Sequence, residues 1–209
     1  MSQPLESPGF RRGVGPFRRL IIAAALLLTA GVALRVSPSV AEGARAIPAP
    51  ALAEPATQQM TSEVAIVAGG CFWGVQGVFQ HVEGVTSAIS GYGGGTRDAA
   101  QYETVSTGTT GHAEAVRITF DPHRISYGRI LQIYFSVAHD PTELNRQGPD
   151  QGTQYRSAIF YADSEQQRIA QAYIAQLDRA AIYGGPIVTR VDPGKGFYRA
   201  EGYHQDFLV

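Results

Sequence analysis

The run EVAIVA, Glu63–Ala68, is short, apolar and rich in β-branched residues, and the glycine pair Gly69–Gly70 stops it. It predicts a buried strand. Immediately beyond, Phe72, Val75, Val78, Phe79 and Val82 recur at helical spacing, so Cys71 falls at a strand-to-helix turn. VTSAISGYGGG, from Val85, predicts a strand running into a glycine loop. HAEAVRITF then alternates, with Glu114, Val116, Ile118 and Phe120 on one face and Ala115, Arg117 and Thr119 on the other. The apolar face of that strand therefore carries a carboxylate. A helix is predicted from Ser126, with Ile130, Ile133, Tyr134 and Val137 on its apolar side. His139 to Gly152 reads as a polar loop too long for a plain connector. TQYRSAIFYA predicts a strand, and Ser164 with Gln167 a capping box for a helix that buries Ile169, Tyr173 and Leu177. PIVTRV predicts the last strand, and the segment from Asp192 is rich in Gly, Tyr and Phe without a period. The order β-α-β, β-α, β-α-β predicts an α/β or α+β sandwich, a mixed sheet backed by helices, of the split β-α-β type.

The N-terminal pattern is different in kind. Arg11, Arg12, Arg18 and Arg19 precede an apolar run, Leu20 to Leu34, and small residues follow, Ser39 and Ala41 or, alternatively, Ala44 and Ala46. This describes an export signal over residues 1–41. The run is shorter than the roughly 20 residues a spanning helix needs, so cleavage is favoured over a retained membrane anchor. Ala, Pro and Glu dominate the next stretch, which predicts a flexible linker over 42–60 and a catalytic domain over 61–209. The expected location is the periplasm or cell envelope.

A formal net charge of −1 argues against a nucleic-acid binder. Cleavage after Ala41 removes five arginines and one glutamate, leaving an acidic remainder. Exported proteins gain stability from disulfides, yet Cys71 is the only cysteine in the 209 residues. It is therefore a free reactive thiol or an intermolecular partner.

The stretch GGCFWGVQ holds that cysteine and the only tryptophan. A helix N-terminus stabilises negative charge and lowers a cysteine pKa. The glycines leave the thiol accessible, and Phe72 and Trp73 form an apolar wall beside it. An inert core cysteine is the alternative for a lone thiol, but the glycine bracket, the helix start and the export context favour a nucleophile. Glu114, on an apolar face, would have a raised pKa and could act as a general acid; a structural ion pair with an arginine such as Arg156 is equally compatible with the pattern. No clustered His/Cys spacing suggests a metal.

GCFWG, GHAEAV, NRQGPDQGTQYRSAIFY and FYRAEGYHQDF together resemble the peptide methionine sulfoxide reductases of the A class, from about Val64 onward. The resemblance implies a two-layer sandwich with a long irregular C-terminal segment and no cofactor. It implies reduction of methionine S-sulfoxide, in proteins and as the free amino acid, with a thioredoxin-like protein or small thiol as reductant, in repair of oxidative damage. Cys71 matches the nucleophile and Glu114 the acid that protonates the sulfoxide oxygen. Tyr102 and Tyr155 match two tyrosines that hydrogen-bond that oxygen, Asp150 a supporting acidic residue, and Phe72 and Trp73 the pocket for the substrate methyl group. Two departures stand out. Gln76 occupies a position where many members carry Glu, with little effect expected, and no resolving cysteine follows HQDFLV. Two rival readings are a cysteine hydrolase with His112 or His139 as base and an envelope binding module tethered through its thiol.

Overall fold

The computed structural model describes residues 44–52 and 60–209; the export signal expected over 1–41 lies outside the described residues. Strand β1 (Glu63–Ala68) leads into helix α1 (Phe72–Gln80) and strand β2 (Val85–Gly93). A short helix α2 (Tyr102–Val105) precedes strand β3 (Ala113–Phe120). Helix α3 (Tyr127–Ile133) continues into a π-helical turn, Tyr134–Ala138. Two-residue strands β4 (Arg146–Gln147) and β5 (Asp150–Gln151) pair within the long polar loop. Strand β6 (Ala158–Tyr161), helix α4 (Ser164–Arg179), and strands β7 (Arg190–Pro193) and β8 (Phe197–Arg199) complete the chain.

Six strands form one sheet in the order β7-β6-β1-β3-β2-β8. β3 is antiparallel to both β1 and β2, so β1 and β2 run parallel with β3 inserted between them. This is the split β-α-β arrangement. β6 and β7 pair in parallel, which makes the sheet mixed. Ala65 and Val67 of β1, Val116, Ile118 and Phe120 of β3, Phe72, Val75 and Phe79 of α1, and Ile169, Tyr173 and Leu177 of α4 share one buried core. The helices thus cover one face. A small cluster of Ala68, Ala113, Ala115, Ala158 and Phe160 forms on the other.

Several sequence expectations change at this level. Residues 44–52 are not a flexible linker. Ile47 is buried in the core, and the backbone is tied down by Gln132 Nε2 to the Ile47 carbonyl at 2.8 Å, Tyr173 OH to Pro48 at 2.7 Å and Gln176 Nε2 to Ala49 at 2.8 Å. Their Ala/Pro composition gave no sign of these partners, which sit on α3 and α4. The α4 cap is Asp163, whose carboxylate accepts from the Glu165 and Gln166 N–H groups, both at 2.9 Å; Ser164 is already helical. In α3 Leu131 is buried beside Ile130, and in the π-helical turn Tyr134 and Phe135 are buried while Val137 is exposed. Thr153–Tyr155 is a 3₁₀ turn, and the strand begins only at Ala158. The last predicted strand starts at Arg190 rather than Pro186. The C-terminal segment is only partly irregular, because β8 pairs with β2.

Candidate active site

Cys71 is the N-cap of α1 and is half-buried. The turn that delivers it has little freedom. Gly70 has φ +85°, and a Cβ there would lie 2.5 Å from the Gln147 side chain; a Cβ on Gly69 would lie 2.9 Å from the His139 ring. Beneath the turn, Tyr134 OH donates to the Ala68 carbonyl at 2.7 Å and lies 2.9 Å from Ser157 Oγ. Ser157 also meets His139 Nε2 at 2.8 Å and Thr189 Oγ1 at 2.6 Å. Ala68 is three residues before Cys71 and Ser157 two after Tyr155. This buried polar cluster therefore ties the turn that carries Cys71 to the segment carrying Tyr155.

The same helix start holds the carboxyl. Phe72 N–H donates to Glu114 Oε2 at 3.0 Å, while the N–H groups of Trp73 and Gly74 are directed to the Cys71 sulfur. Thiol and carboxyl thus share successive donors of one helix N-terminus. Glu114 is buried, and burial pushes its pKa up to about 7, with the charge of Asp150 adding to the rise and the Phe72 N–H opposing it. Arg156 does not pair with Glu114. It donates instead to the carbonyls of His112, Gly111 and Thr153, all within 2.9 Å. The expected depression of the Cys71 pKa is not found. Burial pushes the thiol up, Glu114 and Asp150 push it further, and the two helix N–H groups recover only part of this.

Tyr155 is pushed up to about 12 by burial and then by the nearby charges of Glu114, Asp150, Tyr102 and Cys71. All five polar residues singled out in the sequence are therefore grouped, although they come from β3, the start of α2, β5 and two turns. The two aromatics divide. Phe72 is buried as core, with its ring 5.9 Å from Tyr92 and 5.1 Å from His204. Trp73 is half-buried and stacks on Phe207 at 3.7 Å.

Several site-supporting residues carried no sequence signal of their own. Glu201 accepts from Tyr92 OH at 2.8 Å and from the Tyr102 N–H at 3.0 Å, fixing the start of α2. His204 is buried against Phe72, Trp73 and Tyr102, and neither ring nitrogen has a hydrogen-bond partner among the described residues. Gln76 is also buried; it donates to the Ala88 carbonyl at 3.0 Å and accepts the Asp206 N–H at 3.1 Å. A carboxylate could not make the first of these bonds, so the amide matters more than its spacing suggested. Glu201, His204 and Asp206 all lie in the aperiodic segment after Asp192, where only motif resemblance marks them. His139 is fully buried and engaged with Ser157, and His112 Nδ1 engages Thr110 Oγ1 at 3.0 Å. Neither forms the thiol–imidazole pair of a cysteine hydrolase.

A half-buried thiol at a helix start, beside a carboxyl that keeps its proton near neutrality and two tyrosines, is the set of groups that a cysteine-dependent enzyme assisted by a general acid requires. The comparisons narrow this class. The sequence model of the family described as peptide methionine sulfoxide reductase matches residues 63–209. Peptide methionine sulfoxide reductase MsrA 2 of Mesorhizobium japonicum is 67% identical over 148 residues, 71% of this chain and 76% of that protein. The MsrA of Deinococcus radiodurans is 52% identical over 69% of this chain and 70% of its own length. Among solved structures, reduced Mxr1 from Saccharomyces cerevisiae superposes with a TM-score of 0.64 at 31% identity, covering 73% of this chain and 87% of that one. Methionine sulfoxide reductase A of Corynebacterium diphtheriae gives 0.62 at 32%, covering 78% and 81%. The chain belongs to the peptide methionine sulfoxide reductase family and reduces methionine sulfoxide in peptides.

Proposed function

We propose that the protein takes the S epimer of methionine sulfoxide, in polypeptides and as the free amino acid, through a sulfenic acid on Cys71 that a thiol from another molecule resets. The observation that carries this reading is the shared helix N-terminus, where Cys71 is the cap and the next N–H holds Glu114. A sulfoxide sulfur is a poor electrophile until its oxygen is protonated, so attack and proton donation must cooperate. Trp73 flanks the substrate methyl group, and the hydroxyls of Tyr102 and Tyr155 donate to the sulfoxide oxygen. Asp150, whose charge discourages ionisation of Glu114, helps keep the proton on the acid. The Cys71 sulfur gives up its thiol proton to solvent and attacks the sulfoxide sulfur while Glu114 delivers its proton to oxygen; the oxygen then passes to the cysteine sulfur as hydroxyl, and Glu114 regains a proton from solvent. Methionine is reduced by two electrons and Cys71 is oxidised by two, ending as –SOH. One external thiol then forms a mixed disulfide with loss of water, and a second releases the Cys71 thiol. A thioredoxin-like protein or a small thiol fits this role, because Cys71 is the only cysteine in the sequence.

Single-turnover chemistry tests the scheme. Without reductant, each enzyme should release one methionine and become one oxygen heavier, with the adduct trapped by dimedone at Cys71. Cys71→Ser should release none. Several methionines per enzyme without added thiol would overturn the scheme, and release of an acid or amine would restore the hydrolase. The N-terminal pattern supports a setting in the periplasm or cell envelope.

A further inference from the structure

A cavity of about 580 Å³, within the range of ligand-binding clefts, is bounded by Gly94, Gly108 and Gly111 and by the β6–β7 edge of the sheet. Neither Cys71 nor Glu114 lines it. Its Phe160 wall belongs to the small cluster on the sheet face opposite the helices, so a ligand here needs no access to the Cys71 site. The parallel register sets Arg190 beside Ala158 and Asp192 beside Phe160, and residues two apart on a strand share a face. Arg190 and Asp192 therefore both stand over this cluster and line the cavity.

The charged lining is Arg156, Arg190 and Lys195 against the single acid Asp192. Asp192 pairs with Arg190 at 3.0 Å, which leaves two cations in excess. That balance is opposite to the domain as a whole, where residues 61–209 hold fifteen acidic and eleven basic side chains. Arg156 is buried and donates only to carbonyl oxygens; among the described residues no carboxylate pairs with it and its Nε has no partner. Burial, then the charge of Arg190, push its guanidinium pKa down, and Asp192 opposes them. A buried cation without a counter-charge is costly, and an anion brought beside it offsets that cost. Two further donors in the lining are uncommitted: among the described residues, exposed Lys195 forms no ion pair and the amide of exposed Asn145 makes no hydrogen bond. From this charge balance and donor set we infer that the cavity binds a small dianion, a phosphate or a dicarboxylate, held by Arg190, Lys195 and Asn145 against the buried Arg156. Two negative charges match the excess of two cations, and oxyanion oxygens accept from guanidinium, ammonium and amide donors alike. Such a site is independent of the chemistry at Cys71.

Isothermal titration calorimetry of the whole protein with inorganic phosphate and with succinate, at constant ionic strength, tests this. Chloride and acetate, which carry single charges, are the controls. At least one dianion should bind one-to-one with a dissociation constant below about 1 mM, and the controls should give no saturable heat. Which of the two binds names the ligand's class as phosphate or dicarboxylate. Lys195→Gln should weaken binding by about tenfold, and Arg190→Gln/Lys195→Gln should abolish it. Higher salt should weaken it in the wild type. Turnover of free methionine sulfoxide should be unchanged in both variants, which shows that they fold. No saturable binding of either dianion, equal binding of acetate, or binding undiminished in the double variant would overturn the proposal. If the double variant loses turnover, Lys195→Gln alone decides.

Discussion

The burial of Glu114 makes its contribution to stability depend on pH. In the unfolded chain its carboxyl ionises near 4.5, whereas in the folded protein it does so at about 7. Between those values folding takes up a proton, so its contribution to stability is full below the unfolded pKa and is lost as pH rises through the folded one. Glu114→Gln removes this dependence. Between pH 4 and pH 8 the stability difference should move in favour of the variant, by an upper bound of about 3 kcal/mol. Denaturant unfolding at the two pH values measures it. The same variant should lose about 10²–10⁴-fold in rate with little change in KM, because the amide keeps the shape but cannot deliver a proton. An affinity loss with unchanged rate would make Glu114 a binding residue only.

At the scale of elements, α4 illustrates how a neighbouring residue can take a predicted role. Ser164 and Gln167 have capping-box spacing, yet Asp163 adopts the extended conformation of a cap and accepts two N–H groups. Carboxylate and hydroxyl are both good caps, and which one serves depends on where the chain leaves β6. Asp163→Ala should therefore cost about 1 kcal/mol, while Ser164→Ala should be near neutral. Thermal unfolding of the two variants separates the assignments, and the reverse order would return the cap to Ser164. The short α2 is held differently, by the Glu201 carboxylate on the Tyr102 N–H. That bond couples the placement of Tyr102 to a segment 99 residues away.

At the scale of the whole molecule, the docked segment 44–52 bears on where an export signal would be cut. The Arg45 N–H donates to the Ser136 carbonyl, the Arg45 carbonyl accepts from the Ser136 hydroxyl, and the guanidinium lies over the Tyr183 ring. Cleavage after Ala46 would remove these contacts; cleavage after Ala41 keeps them. Sequencing of the mature protein should accordingly begin at Glu42. A start at Ile47 would show that the Arg45 contacts are dispensable, and a start at Ser2 would point to a retained anchor.

By itself the sequence determined the elements whose partners lie in their own periodicity. α1 and β3 each carry an apolar repeat that matches what they bury, β1 is an apolar run and β2 a strand that ends in glycines, and their order already contains the split β-α-β topology. It also determined the site's ingredients, because a single thiol between glycines and a carboxylate on an apolar face depart from what a core requires. The roles of Tyr102, Asp150 and Tyr155 entered only through motif resemblance, since nothing local separates them from the other tyrosines and acids. Tertiary structure decided the rest. The rise in the Cys71 pKa depends on burial and on the charges of Glu114 and Asp150, none of which a helix N-terminus specifies. The docking of residues 44–52, the Gln76 clamp on Asp206 and the Tyr134–Ser157–His139 cluster join positions remote in the chain. Periodicity reports only which face of an element is apolar. Which polar group meets which across the fold is set by packing, because buried donors and acceptors must find partners wherever the folded chain brings them.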